Sequence, residues 1–204
     1  MEMKWHNGVG VLRCGEEERI SYDKKYLDTY LQYENTPIGQ SITSYRVNLL
    51  LRNLSEIHLP VLDVGIGSGH FIRECLKHKI NVDGADVNPV ALEWLKKCGM
   101  LEKHNVRYDV LTFWDSLEHL DDPKEFIQDH HSPKHIFVSI PIFHNKYTVK
   151  DSRHYKPGEH IYYFTQTGLI NWFYSLGYEI QMLDDSESRL FGRNDIYTYY
   201  FKKV

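Results

Sequence analysis

Residues 61–76 read VLDVGIGSGHFIRECL, and no other stretch constrains the fold so tightly. An apolar strand, 61–64, runs into glycines at Gly65, Gly67 and Gly69, and an amphipathic helix follows at once. Glycine lets the chain turn sharply and lets backbone approach a ligand closely. The first turn of a helix exposes N–H groups that the helix itself cannot satisfy. Strand, glycine loop and helix together predict a nucleotide-type binding corner. One acid, Asp63, is embedded in the strand.

The alternation continues along the chain. Strand patterns fall at 59–64, 82–87, 108–114 and 135–140, with helical patterns at 69–79, 89–98 and in a short stretch opened by Asp122-Pro123. Asn88 with Pro89 marks a helix start, and Gly99 its end. A further helix, capped by Thr165 or Thr167, reaches Leu176. Strands at 178–183 and 196–202 read as an antiparallel pair. Before the glycine corner, 22–34 and 38–54 read as two helices broken at Thr36-Pro37. Alternating strands and helices predict an α/β fold, a mostly parallel sheet with helices on both faces and an antiparallel C-terminal hairpin. The expected division is a helical N-terminal cap, 1–57, and a sheet domain, 58–204. Only 99–107 separates the helix 89–98 from the next strand, so one sheet edge is expected to be trimmed.

The chain has 204 residues, 42% of them hydrophobic, which suits one domain with an appendage. No apolar run approaches the roughly 20 residues of a membrane span, and the N-terminus lacks a secretory pattern. Cys14, Cys75 and Cys98 form no C-x-x-C, so neither a zinc ribbon nor a disulfide framework is expected, and the setting is read as cytoplasmic. A net charge of −4 argues against general affinity for nucleic acid.

Three features narrow the ligand. Asp63 lies two residues before the first glycine, where it would repel a pyrophosphate but help a cationic ligand. Asp86 ends the next strand, about 20 residues on, where a carboxylate can accept both ribose hydroxyls. A later strand ends in a polar run, Asp115-Ser116-Leu117-Glu118-His119. The set suits a ligand with a ribose and a positive group but no phosphates.

VLDVGIGSG resembles the first motif of class I S-adenosylmethionine-dependent methyltransferases, and DGADVNPVALEWL their second. YDVLTFWDSLEHLDDP and EHIYYFTQTGLINWFYSLGYEI resemble later segments of the subgroup that includes quinone-biosynthesis enzymes. The resemblance implies a Rossmann-like fold and S-adenosyl-L-methionine as methyl donor. By it, Gly65, Ile66, Gly67 and Gly69 line the methionine part, with Asp63 holding that region. Asp86 binds the ribose, Val87 lies against the adenine, and Asp115 and Ser116 lie near the amino acid end and the methyl. It also implies an N-terminal helical pair packed over the donor, with Tyr26 and Arg46 as contacts.

The implied activity is methyl transfer to an oxygen, nitrogen or carbon nucleophile of a small molecule or exposed group. Two alternatives stand beside it: a non-catalytic S-adenosylmethionine-binding module, and a nicotinamide-dependent dehydrogenase using the same corner. His119 and His160, each following a glutamate, are candidate general bases, because an unperturbed imidazole titrates near pH ~6.5. Glu118, His119, His144, His154 and His160 could converge, but no H-x-x-x-H or H-E-x-x-H spacing is present, so no metal is expected. Neither the [DNS]-P-P-[YFW] tetrapeptide of DNA-amino methylation nor a Pro-Cys pair for cytosine C5 chemistry occurs. Tyrosine is abundant at 15 residues, and Tyr22, Tyr26, Tyr30 and Tyr33 share one helix face. Oligomeric state stays open.

Overall fold

The computed structural model describes residues 2–55 and 58–204, apart from the side chain of Glu16. The chain runs β1 (Lys4–His6), β2 (Val9–Val11), α1 (Lys24–Glu34), α2 (Pro37–Asn53), β3 (Val61–Val64), α3 (His70–Lys77), β4 (Val82–Ala85) and α4 (Pro89–Cys98). It continues through β5 (Val110–Trp114), α5 (Pro123–Asp129), β6 (His135–Pro141), β7 (Tyr162–Phe164), α6 (Gln166–Ser175), β8 (Tyr178–Asp184), α7 (Ser186–Phe191) and β9 (Ile196–Lys203). Six strands order as β4-β3-β5-β6-β9-β8 in a mostly parallel sheet, and β1-β2-β7 form a second, three-stranded sheet. Among the described residues no helix is long and apolar enough to cross a membrane.

The contacts divide the chain into two compact units, Ser21–Thr112 and a second made of Met1–Ile20 with Phe113–Val204. The expected cap boundary at 57/58 touches residues 56 and 57, which lie outside the described residues.

In the unit Ser21–Thr112, side chains set the helix starts. Asp23, Thr36 and Asn88 accept from the backbone N–H groups of Tyr26, Gly39 and Val90, and proline follows two of these caps directly. Gly99 ends α4 in the left-handed conformation, as its position predicts. β3 pairs in parallel with β4, placing Asp63 opposite Gly84. Leu62, Ile72, Cys75 and Leu95 are fully buried around them. The trimmed edge is present: after α4 only an isolated parallel bridge, Gly84 with Leu101, extends the pairing. There Lys103 and the Tyr108 hydroxyl both donate to buried Asp83, at 2.7 and 2.9 Å.

The other unit departs from expectation at its start. Residues 4–11 form a hairpin whose second strand pairs with β7. Leu12, Phe143, Val149 and Tyr163 make a core of their own beneath it, with Met3, Trp5 and Tyr155 packed against them. The C-terminal strands β8 and β9 are antiparallel as predicted, but α7 stands between them. Buried Glu187 anchors that helix. It accepts from Ser139 on β6 at 2.9 Å and from Thr198 on β9 at 3.5 Å, and it pairs with Arg193. Much of the tyrosine excess is core material: Tyr163, Tyr178 and Tyr199 are fully buried.

Gly168, in the first turn of α6, lets the carbonyl of Gly8 approach so closely that an added Cβ would overlap it. Gly168→Ala is expected to cost roughly 1–3 kcal/mol by overpacking. A lowered thermal midpoint with faster amide exchange in β1 and β2 checks this, and an unchanged midpoint contradicts it.

Candidate functional site

The glycine corner forms as its sequence predicts. Gly65, Gly67 and Gly69 all adopt positive φ, 77°, 54° and 75°. Gly69 sits against the Trp94 ring, 2.7 Å from where a Cβ would stand, so a side chain there is excluded twice over. It also begins α3 with no capping side chain, which leaves the first-turn N–H groups without a side-chain acceptor from that position. The Ser68 hydroxyl, in the loop itself, is buried without a hydrogen-bond partner.

Three carboxylates surround this loop. Asp63, 1% exposed, accepts a 2.7 Å bond from Thr112. Burial pushes its pKa up to about 7, with Asp86 and Glu34 adding to the rise while Thr112 and the Arg46 charge oppose it. Asp86 accepts from the N–H of Asn88 at 2.7 Å and of Gly67 at 3.3 Å. Burial raises its pKa as well, against the pull of those N–H groups. Glu34, the last residue of α1, brings Oε1 to 3.6 Å from where a Gly67 Cβ would be. Its Oε2 is buried without a hydrogen-bond partner, with His70 Nδ1 3.5 Å away. Burial lifts Glu34 to about 7, and Arg46 and Arg73 oppose the rise.

The other predicted contacts of this unit are distributed around the corner. Arg46 on α2 acts electrostatically on both Asp63 and Glu34. Tyr26 packs between Tyr22 and Tyr30, ring centroids 5.0 and 4.8 Å away, and donates to the Tyr30 hydroxyl. Asn88 ties the loop after Asp86 to the start of α1 through a 3.0 Å bond to the Asp23 carbonyl. Ile66 is buried and Val87 is 70% exposed.

In the other unit, Asp115 adopts positive φ and pairs with Arg193 at 3.0 Å. Burial works against the Arg193 charge, but Asp115 and Glu187 together hold it firmly protonated. Ser116 is buried and its carbonyl accepts the His119 N–H at 3.1 Å. The Leu117–His119 turn and the segment before β7 are joined by the Ile161 N–H donating to the Glu118 carbonyl at 2.8 Å. This brings His119 and His160 together edge to face, centroids 4.8 Å apart. Burial keeps both imidazoles neutral, His119 down to about 4 and His160 lower still. Such rings are weak proton acceptors at neutral pH, which reduces the general-base role expected of them. Glu118 is buried beside them and pushed up to about 8, first by burial and then by Asp115. The wider convergence does not form: His144 is exposed and His154 bonds the Asn194 carbonyl at 2.7 Å.

A family model described as a methyltransferase domain matches residues 40–183. The chain belongs to this methyltransferase family. The methyl donor of the family is S-adenosylmethionine. A search of the curated proteins finds no match. Among solved structures, magnesium protoporphyrin IX methyltransferase from Synechocystis PCC 6803, with bound S-adenosylhomocysteine, aligns over 90% of this chain and 96% of its own. Its TM-score is 0.67 at 14% identity. The glycopeptide N-methyltransferase MtfA aligns over 83% and 99%, TM-score 0.57, 10% identity. The [4+2]-cyclase SpnF aligns over 81% and 82%, TM-score 0.58, 14% identity. These likenesses establish the Rossmann-like fold; the quinone-biosynthesis part of the resemblance gains no support from them.

Within the methyltransferase fold, Glu34 is the residue that the sequence reading missed. A signal existed: an acid in the last turn of a helix opposes the helix dipole and calls for another reason to be there. The raised carboxyl pKa values also have a thermodynamic sign. A carboxyl near 7 when folded and about 3.9 when unfolded holds its proton better in the folded state. Stability from it is present at low pH and falls as pH rises between those values. Asp63→Asn, keeping the Thr112 bond, should therefore flatten the decline in thermal midpoint between pH 5 and pH 8. A decline as steep as that of the wild type would contradict the buried-acid reading.

Proposed function

We propose that the glycine corner binds S-adenosylmethionine and that the chain transfers its methyl group to an oxygen, nitrogen or carbon nucleophile of a small molecule or exposed group. The observation that carries the reading is the ring of Asp63, Glu34 and Asp86 around the glycine loop. Three buried or half-buried carboxyls held above their ordinary pKa disfavour a pyrophosphate and favour a cation, which argues against the dinucleotide alternative. The fit extends to atoms with no partner of their own: the Ser68 hydroxyl and Glu34 Oε2 are buried polar groups that a ligand can satisfy.

Asp86 would take the ribose hydroxyls, the α3 start and glycine loop the amino acid end, and Arg46 its carboxylate. Tyr26 and Val87 would flank the ligand. The proposed role of a cap over the donor falls to α1 and α2, the helices within the expected cap 1–57. When bound, the donor supplies an activated methyl: the sulfur–carbon bond breaks as the acceptor–carbon bond forms, and the acceptor's proton leaves to solvent or a base. The chain's own contribution is then chiefly positioning. Asp115 and Ser116 would act through the loop that Arg193 holds. No nucleic-acid or membrane partner is proposed. Free thiols at Cys14, Cys75 and Cys98 support a reducing, cytoplasmic setting.

A cation entering the corner favours the ionised carboxyls. Binding of S-adenosylmethionine should release protons near pH 7 and tighten as pH rises from 6 to 8. Calorimetry in buffers of different ionisation enthalpy measures this, and tight binding of NAD instead would overturn the reading. Asp86→Ala should weaken S-adenosylhomocysteine roughly 10- to 100-fold, the scale of hydrogen bonds to a charged group. A screen with labelled donor against pooled metabolites, sugars and nucleotides then identifies the acceptor. Donor binding with no transfer to any pool, and full biological activity in Asp86→Ala, would favour the non-catalytic module.

A further inference from the structure

We propose that Glu118, His119 and His160 form a binding site for one divalent transition-metal ion of the zinc type. One ligand atom from each side chain can be chosen so that all three lie within 4.8 Å of one another. His119 Nε2 and Glu118 Oε1 are 3.8 Å apart. Metal bonds of about 2 Å place tetrahedral donors roughly 3.3 Å apart, so side-chain adjustments of about 1 Å close the set.

A second observation is independent of that proximity. Glu118 is 2% exposed, and neither of its carboxylate oxygens has a hydrogen-bond partner. The Nδ1 of His160, a residue 4% exposed, has none either. Buried polar atoms left in this way are costly, and a folded chain holds them where something else completes the bonding. The three atoms belong to one cluster, and a single ion can take a lone pair from the carboxylate and from the imidazole at once. A metal ion meets the demand of all three side chains together.

The donor set also selects the ion. Two imidazoles with one carboxylate suit zinc and its transition-metal neighbours, whereas magnesium and calcium prefer all-oxygen shells. Three protein ligands leave at least one coordination position for water or an oxygen ligand. The backbone holds the set in place: Ile161 N–H bonds the Glu118 carbonyl, and the His160 N–H bonds the Lys156 carbonyl, both at 2.8 Å. Spacing rules look for two ligands on one helix face. Here two adjacent residues on a single turn meet a third from a distant segment, a pattern that such rules pass over.

The site goes beyond methyl transfer and is tested separately from it. Full-length protein stripped with chelator is titrated with Co²⁺ and its visible absorption followed, then challenged with Zn²⁺. One Co²⁺ per chain, displaced by Zn²⁺, is expected. Glu118→Gln and His160→Gln should each weaken binding beyond the roughly 10- to 100-fold cost of altering an outer-shell partner. His131→Gln, at an exposed histidine, should leave it unchanged. Circular dichroism and S-adenosylhomocysteine calorimetry on each variant report folding and the donor corner apart from the metal. Should both variants misfold, the imidazole resonances of the wild-type Co²⁺ form decide: His119 and His160 must be the rings that shift. No saturable Co²⁺ or Zn²⁺ binding, binding undiminished in both folded variants, or binding lost only in His131→Gln overturns the proposal.

Discussion

The corner depends on the burial of charge-bearing oxygens around a loop in which glycine alternates with Ile66 and Ser68. Gly65, Gly67 and Gly69 give the backbone its turns, and Ile66 and Ser68 carry no charge, which leaves Asp63, Glu34 and Asp86 to define the electrostatics. Thr112 meets one oxygen of Asp63 and two N–H groups meet Asp86, while Arg46 supplies the opposing positive charge. Satisfaction is partial. A fully paired set would be rigid and inert. A set raised towards neutral pH would respond to an entering cation, and in the proposed function this would separate the corner from the phosphate-binding loops that its glycines alone suggest.

The unit containing the C-terminal strands solves the opposite problem. There half-buried Arg193 pairs with Asp115 and with buried Glu187, and Glu187 is itself held by Ser139 and Thr198. Removing one partner of such a set leaves an uncompensated buried charge, typically about 3–5 kcal/mol. Its value is geometric: it joins α7, β6, β9 and the residue at positive φ that opens the Ser116–His119 turn. The strained backbone at Asp115 is held by an ion pair rather than by glycine.

What could be read from the sequence was what is local. The start and end of α4 follow from Asn88-Pro89 and Gly99 because caps act over three or four residues. Asp63 and Asp86 follow from their distance to the glycines. The trimmed edge follows from the short 99–107 segment. The hairpin β1–β2 escaped because three-residue strands carry no period, and only pairing with the distant β7 makes them strands. α7 was hidden inside a presumed turn, since its anchor, Glu187, finds partners on β6 and β9. Asp83 became a partnered acid only through Lys103 and Tyr108, and Glu34 became a site residue only when α1 delivered it to Gly67.

The same distinction explains why the two polar clusters were read so unequally. Asp63 and the glycines are adjacent in sequence and announce a ligand together. Glu118-His119 and Glu159-His160 look alike on paper, two acid–imidazole pairs suited to proton transfer. Folding separates their roles: Lys156 engages Glu159 at 3.2 Å, while Glu118 is buried with its carboxylate unmet. Burial that makes an imidazole a poor base leaves its lone pair available to an ion, and a partnerless carboxylate beside it supplies the compensating charge. In both clusters the unmet demand is for positive charge. The corner asks for it diffusely, through carboxyls spread around a loop, and the histidine pair asks for it at a point.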